Sequence, residues 1–65
     1  MIKAVAHTRA EAAAIAYRAL AFVLDVRIVD CSGDEPRYWV CFDERVVMNA
    51  DELADVLNGA SIESA

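Results

Sequence analysis

Two runs of alternating side chains, separated by a cluster of turn-forming residues, constrain the fold of this chain most strongly. Residues 24–29 and 38–43 alternate with a period of two, which is typical of β-strands. Residues 32–36, with the sequence SGDEP, lie between them and favour a turn. The pattern therefore predicts an antiparallel hairpin. Placing Val29 opposite Trp39 sets Val26 against Phe42 and gives the hairpin one fully apolar face.

Two capping patterns predict the helices that could cover this face. Thr8 followed by Glu11 predicts a helix over residues 9–22, and Asn49 followed by Glu52 predicts a second over residues 50–58. Gly59 is suited to end the second helix. At 100° per residue, the predicted buried positions are Ala12, Ile15, Ala16, Ala19, Leu20 and Val23 in the first helix and Leu53, Val56 and Leu57 in the second.

These elements predict a two-layer α+β domain that spans residues 1–65. The expected order is an N-terminal helix, an antiparallel hairpin or three-strand meander, and a C-terminal helix. Residues 46–48 would supply the third strand of the meander, after a tight turn at residues 43–45. Residues 1–6 are expected to form a short strand or an extended lead-in. Residues 60–65 are expected to be a frayed tail.

Composition excludes several classes of protein. Apolar residues make up 58% of the chain, which is too many for a disordered segment. No run of about 18 uncharged apolar residues is present, so a membrane-spanning helix is not expected. Charged residues interrupt the Ala-rich start, which argues against a secretory signal and favours a cytoplasmic protein. The net charge of −5 argues against direct binding of nucleic acid.

The residues capable of nucleophilic or metal chemistry form no recognisable motif. Cys31, Cys41 and His7 lack the close spacing of a structural zinc site, and three ligands would leave a tetrahedral site incomplete. The hairpin register separates the two cysteines by about 13 Å, which is too far for a disulfide. With two glycines in all, the chain has no Gly-rich phosphate loop. We therefore expect no catalytic residue, no metal and no cofactor.

Charge is distributed unevenly along the chain. Residues 1–29 carry four bases and two acids, whereas residues 30–65 carry two bases and nine acids. Several of these acids are adjacent in sequence, and an acidic surface attracts basic partners. The candidate acidic binding residues are Asp30, Asp34, Glu35, Asp43, Glu44, Asp51, Glu52 and Asp55. Capping and turn formation are the structural explanation for the same residues.

In size, charge and element order, the chain resembles the small acidic anti-CRISPR inhibitors encoded by phages. The resemblance implies an α+β protein that acts in the cytoplasm of a bacterial host cell. Its expected partner is a larger protein with a basic groove, such as a CRISPR effector subunit. The inhibitor would place carboxylates, such as Asp34/Glu35 and Asp43/Glu44, where nucleic-acid phosphates would otherwise bind.

The other face of the hairpin supports an alternative function. Val29, Trp39 and Cys41 lie on that face and could form an exposed apolar interface. A core this small gains stability from oligomerisation. The chain could therefore be a homodimeric accessory domain that associates through the Trp39 face of the sheet. In that case its acidity would serve solubility alone.

Overall fold

The fold is α+β, as the sequence predicted. The computed structural model describes residues 1–43 and 48–63. Its elements are, in order, β1 (Ile2–Ala6), α1 (Arg9–Ala19), β2 (Val26–Asp30), β3 (Tyr38–Phe42) and α2 (Ala50–Leu57). The strands form an antiparallel sheet, and α1 contacts all three of them as well as α2.

The predicted hairpin is confirmed together with its register. Strand β3 lies between β1 and β2, and Val29 pairs with Trp39. Val26 pairs with Phe42 in the same ladder. The side chains of β3 alternate, so that Val40 and Phe42 face α1 while Trp39 and Cys41 lie on the opposite face of the sheet.

The third strand comes from the N-terminus, and the sheet is therefore not a meander. Strand β1 pairs with β3 through Ile2–Phe42 and Ala4–Val40, so that α1 crosses from one edge strand of the sheet to the other. Of the residues predicted to form a third strand, Met48 lies outside the strands. Residues 44–47, including most of the predicted turn, lie outside the described residues.

Helix α1 begins where predicted but ends earlier. The Thr8 hydroxyl accepts a hydrogen bond from the Glu11 N–H at 3.0 Å, and the Glu11 carboxylate accepts from the His7 N–H instead of closing the predicted box on Thr8. After Ala19 the chain tightens into i→i−3 hydrogen bonds. The helix therefore stops short of residue 22, and Leu20 is exposed rather than buried as predicted.

Helix α2 has the predicted capping box. The Asn49 side chain accepts from the Glu52 N–H at 2.8 Å, and the Glu52 carboxylate accepts from the Asn49 N–H at 3.1 Å. The helix ends one residue before its predicted end, because Asn58 adopts a left-handed conformation with φ of 48°. Gly59 follows with φ of 87°, a conformation that suits glycine.

The core lies between the sheet and the helices. Small side chains from β1 and α1 allow the helix to approach the sheet closely, and larger side chains fill the remaining space. Its buried residues are Ala4, Ala6, Ala12, Ile15, Ala16, Ala19, Val23, Val40, Phe42 and Val56. Leu53 and Leu57 pack against this core from α2 and are partly buried.

The C-terminal tail is ordered through residue 63, in contrast to the expectation of fraying from residue 60. The Val5 N–H donates to the Ser61 carbonyl at 2.8 Å, and the Glu63 N–H donates to the Lys3 carbonyl at 2.9 Å. Ile62 forms an antiparallel bridge with Ala4. These contacts place residues 61–63 along the outer edge of β1. Residues 64–65 lie outside the described residues.

Candidate functional site

The first group of candidate acids lies at the hairpin end of the sheet. Asp34 and Glu35 are exposed in the loop between β2 and β3, and Asp30 ends β2. The Ser32 N–H donates to Asp30 Oδ1 at 2.9 Å. Hydrogen bonding from Ser32, with a smaller contribution from the charge of Arg9, lowers the pKa of Asp30. Asp30 therefore shapes the turn, while Asp34 and Glu35 point their charge at solvent.

The hairpin loop is held by hydrogen bonds of its backbone and of the Ser32 hydroxyl. The Arg37 N–H donates to Ser32 Oγ at 2.9 Å, and the Cys31 N–H donates to the Arg37 carbonyl at 3.0 Å. These bonds close the loop across its base, so that the two acids of the tip project from an anchored turn.

The second group lies on α2. Glu52 is partly buried and caps the helix, whereas Asp51 and Asp55 are exposed. Asp51 and Asp55 are four residues apart, which puts them on the same side of the helix. Asp51 also lies in the first turn, where the helix dipole favours a negative charge.

The remaining candidate acids lie elsewhere, so the acids do not form one cluster. Asp43 directly follows β3, at the end of the sheet opposite to the hairpin loop. The five residues of β3 separate the two positions by about 17 Å at the usual strand rise. Glu44 lies outside the described residues. A partner that used all of these acids would have to contact both ends of the sheet and α2.

The Trp39 face of the sheet carries a cluster that the sequence did not single out. Trp39 Nε1–H donates to Glu63 Oε2 at 2.7 Å, and a guanidinium N–H of Arg37 donates to the same oxygen at 2.5 Å. The Lys3 ammonium lies 4.7 Å from the centre of the Trp39 ring. The bond from Trp39, aided by the charges of Arg37 and Lys3, lowers the pKa of Glu63 from its ordinary value of 4.5.

This cluster changes the surroundings of the proposed apolar interface. Cys41 is buried, and Trp39 is partly buried with its indole N–H bonded to the tail. Val29 remains exposed, on the side of the sheet away from the tail. The three residues share a face, as predicted, but their exposure differs. The alternating Ser-Ile-Glu of residues 61–63 is the one sequence signal that could have indicated a strand-like tail.

His7 and Cys31 line the same surface cleft near the hairpin loop, together with Asp34, Glu35 and Arg37. The cleft has a volume of about 540 Å³ and is open to solvent. Cys31 and Cys41 are both free thiols. Among residues 1–43 and 48–63, no group of three or more His, Cys, Asp or Glu side chains is arranged to hold a metal ion.

Neither helix in the described part of the chain has the length and apolar character that a membrane crossing requires. Comparison with known proteins adds no constraint on the function: no family model matches the chain, and neither a curated protein nor a solved structure was found to be similar to it.

Proposed function

We propose that this chain is a non-enzymatic interaction protein that binds a basic, nucleic-acid-binding surface of a larger protein. The observation that carries the proposal is the exposure of the Asp34 and Glu35 carboxylates. Both are exposed at the hairpin tip, and neither forms an ion pair with another residue in the described ranges. The nearby guanidinium of Arg37 pairs with Glu63 instead. Two adjacent carboxylates are therefore available to cations of a partner.

The anchored loop makes these carboxylates suitable for recognition. Because the Ser32 and Arg37 bonds fix the base of the loop, binding need not order the whole turn, and this reduces the entropic cost of association. A partner arginine can bind a carboxylate with two parallel hydrogen bonds, as it would bind a phosphate. The proposed mechanism is that the chain competes with nucleic acid for such arginine side chains of the partner.

Asp51 and Asp55 are a second pair of exposed carboxylates without an ion-pair partner in the described ranges. These two acids lie on a separate element, whereas Asp34 and Glu35 are adjacent on an anchored loop. We therefore assign the primary contact to the hairpin tip. The α2 pair would contribute to long-range attraction through the net charge of −5. The resemblance to anti-CRISPR inhibitors suggests a CRISPR effector subunit as one class of partner.

The alternative, a homodimer through the Trp39 face, is less well supported. Glu63 occupies the indole N–H of Trp39, Lys3 lies over the ring, and Cys41 is buried. The proposal assigns no catalytic role to His7 or to either cysteine.

A fluorescent decaarginine peptide provides a defined test of the hairpin tip. Fluorescence anisotropy would measure its Kd for the native chain and for the double variant Asp34→Asn/Glu35→Gln. Two exposed charge pairs together contribute roughly 1 kcal/mol, so we expect Kd to rise about fivefold. Binding should also weaken markedly between about 50 and about 200 mM salt.

The matched control is Asp51→Asn/Asp55→Asn, which removes the same number of charges from α2. We expect this variant to bind the peptide at least twice as tightly as the hairpin variant, by roughly 0.4 kcal/mol or more. Equal losses in the two variants would mean that net charge alone governs binding. That result, or an affinity insensitive to salt, would refute the hairpin site.

A further inference from the structure

We propose that two copies of this chain associate by antiparallel pairing of their β2 strands, which joins the two sheets into one continuous sheet. The surface involved is the outer edge of β2 together with the apolar side chains beside it. It differs from both the acidic hairpin tip and the Trp39 face.

The outer edge of β2 has backbone hydrogen-bonding groups that no described residue uses. The opposite edge of the sheet is paired with residues 61–63, whereas no residue of the described chain pairs with β2 on its outer side. The bond from the Cys31 N–H to the Arg37 carbonyl fixes the phase of the β2–β3 ladder. Since hydrogen-bonded pairs alternate in an antiparallel ladder, Val26, Ile28 and Asp30 direct their N–H and C=O groups outward.

Apolar side chains flank this edge on the helix side of the sheet. Ile28 is 46% exposed, although it points towards the α1 side, because α1 does not fully cover β2. Leu24, just before β2, is fully exposed. Tyr17 and Leu20 are also exposed, at the C-terminal end of α1. Most of the large exposed apolar side chains among the described residues therefore come from residues 17–29.

The orientation of α1 places Leu20 on the β2 side. Arg18 faces α2, since its Nε–H donates to the Val56 carbonyl at 2.9 Å. Leu20 is about 200° around the helix from Arg18 and thus lies on the other side. Arg9 shares that side with Leu20, and its charge acts on Asp30 of β2. Leu20 therefore extends the apolar surface next to the β2 edge.

Charge and symmetry favour a second copy as the occupant. Residues 17–29 carry two bases and one acid, while the remainder of the chain has a net charge of −6. Two acidic molecules can therefore approach through this side without opposing their acidic regions. The register that pairs all five residues of β2 places Ile28 opposite its own copy and Arg27 opposite Val29, so no like charges lie directly opposite each other.

This pairing would form about six backbone hydrogen bonds across the two-fold axis, because three residues on each strand direct both groups outward. It would also bury Ile28 from both copies at the centre of the contact. The hairpin tip extends beyond the end of β2 and would not take part in the ladder.

Sedimentation equilibrium of the full chain tests the proposal. We expect twice the mass of one 7.1 kDa chain at ~100 μM and dissociation on dilution. Ile28→Lys should be monomeric, because it places a lysine at the centre of the contact. Ile62→Lys is a matched control, since Ile62 is 47% exposed but lies in the tail, and it should remain dimeric.

Two further measurements test the proposal even if Ile28→Lys fails to fold. Leu20→Lys, at the residue directly after α1, should also weaken the dimer while circular dichroism shows that the helices are retained. In the native chain, the amide of Ile28 should exchange at least tenfold more slowly at high than at low protein concentration. A native chain that is monomeric at ~100 μM would overturn the proposal. So would a dimer that survives both lysine substitutions, or an Ile28 amide whose exchange does not depend on concentration.

Discussion

The β1 edge of the sheet is paired with the chain's own residues 61–63, whereas the β2 edge has no such partner within the described residues. Lys3 and Arg27 allow the two edges to be compared directly, because both residues pair with Cys41, one from each side of β3. Lys3 is partly buried and lies over Trp39, while Arg27 is exposed. These two equivalent positions therefore have different surroundings, because the tail covers one edge of the sheet and no described residue covers the other.

An unpaired edge strand is a template for association, and proteins commonly cover or charge it. Here the tail covers one edge and adds a polar cluster of Glu63, Arg37 and Trp39. The other edge carries Arg27 but also the exposed apolar side chains of Ile28 and Leu24. The acidic half of the chain thus covers the β1 edge of the sheet, whereas no described residue covers the β2 edge on the more neutral side of the molecule.

Removing the tail should have the largest effect on this comparison. Deleting residues 61–65 removes the hydrogen bonds to Val5 and Lys3, and each is worth about 0.5–1.5 kcal/mol. We expect the free energy of unfolding, measured with urea, to fall by about 1–3 kcal/mol. The Val5 amide should lose its protection from exchange. Deleting residues 64–65 alone is the control, and a Val5 amide that stays protected in the longer deletion would contradict the assigned pairing.

The charge of Glu63 should make the covered edge sensitive to pH. Its pKa is lowered in the folded state, so the unfolded chain binds more protons at acidic pH. The resulting stabilisation is present above the ordinary pKa of 4.5 and is lost as the pH falls below it. In urea titrations, Glu63→Gln should reduce the dependence of stability on pH in that range. An unchanged pH profile would show that Glu63 is not stabilised by Trp39 and Arg37.

The smallest effect should come from the contact between Lys3 and Trp39. Lys3→Met removes a cation–π interaction worth about 0.5–1 kcal/mol and should shift the fluorescence of Trp39. Arg27→Met is the matched control, because Arg27 occupies the equivalent position on the other side of Cys41. Similar losses of stability in the two variants would mean that the edges do not differ at this position.

Several features of the fold could be predicted because they are encoded over a few residues. Asn49 and Glu52 satisfy each other's backbone N–H groups across one helical turn, and this pattern correctly predicted the start of α2. Residues 32–36 and the flanking alternation predicted the hairpin and the Val29–Trp39 pair. The end of α1 was predicted less well, because Leu20 is apolar and continues the helical pattern into a turn.

The arrangement of the candidate acidic residues was not predicted from the sequence. The sequence identified Asp34, Glu35 and Asp51 as acidic residues, and the structure places them on two separate elements. It gave no indication that Arg37 would pair with Glu63, since the two lie 26 positions apart and meet only when the tail returns to the sheet.

By itself, the sequence determined the two helices, the hairpin with its register and the excess of carboxylates, because periodicity, capping and charge act locally. The tertiary structure alone decided that β1 completes the sheet and that residues 61–63 cover its outer side. Those contacts join Ile2 to Phe42 and Ala4 to Ile62. Pairings between such distant residues form when packing of the core outweighs the entropy of closing the intervening chain, and no short stretch of sequence records that balance.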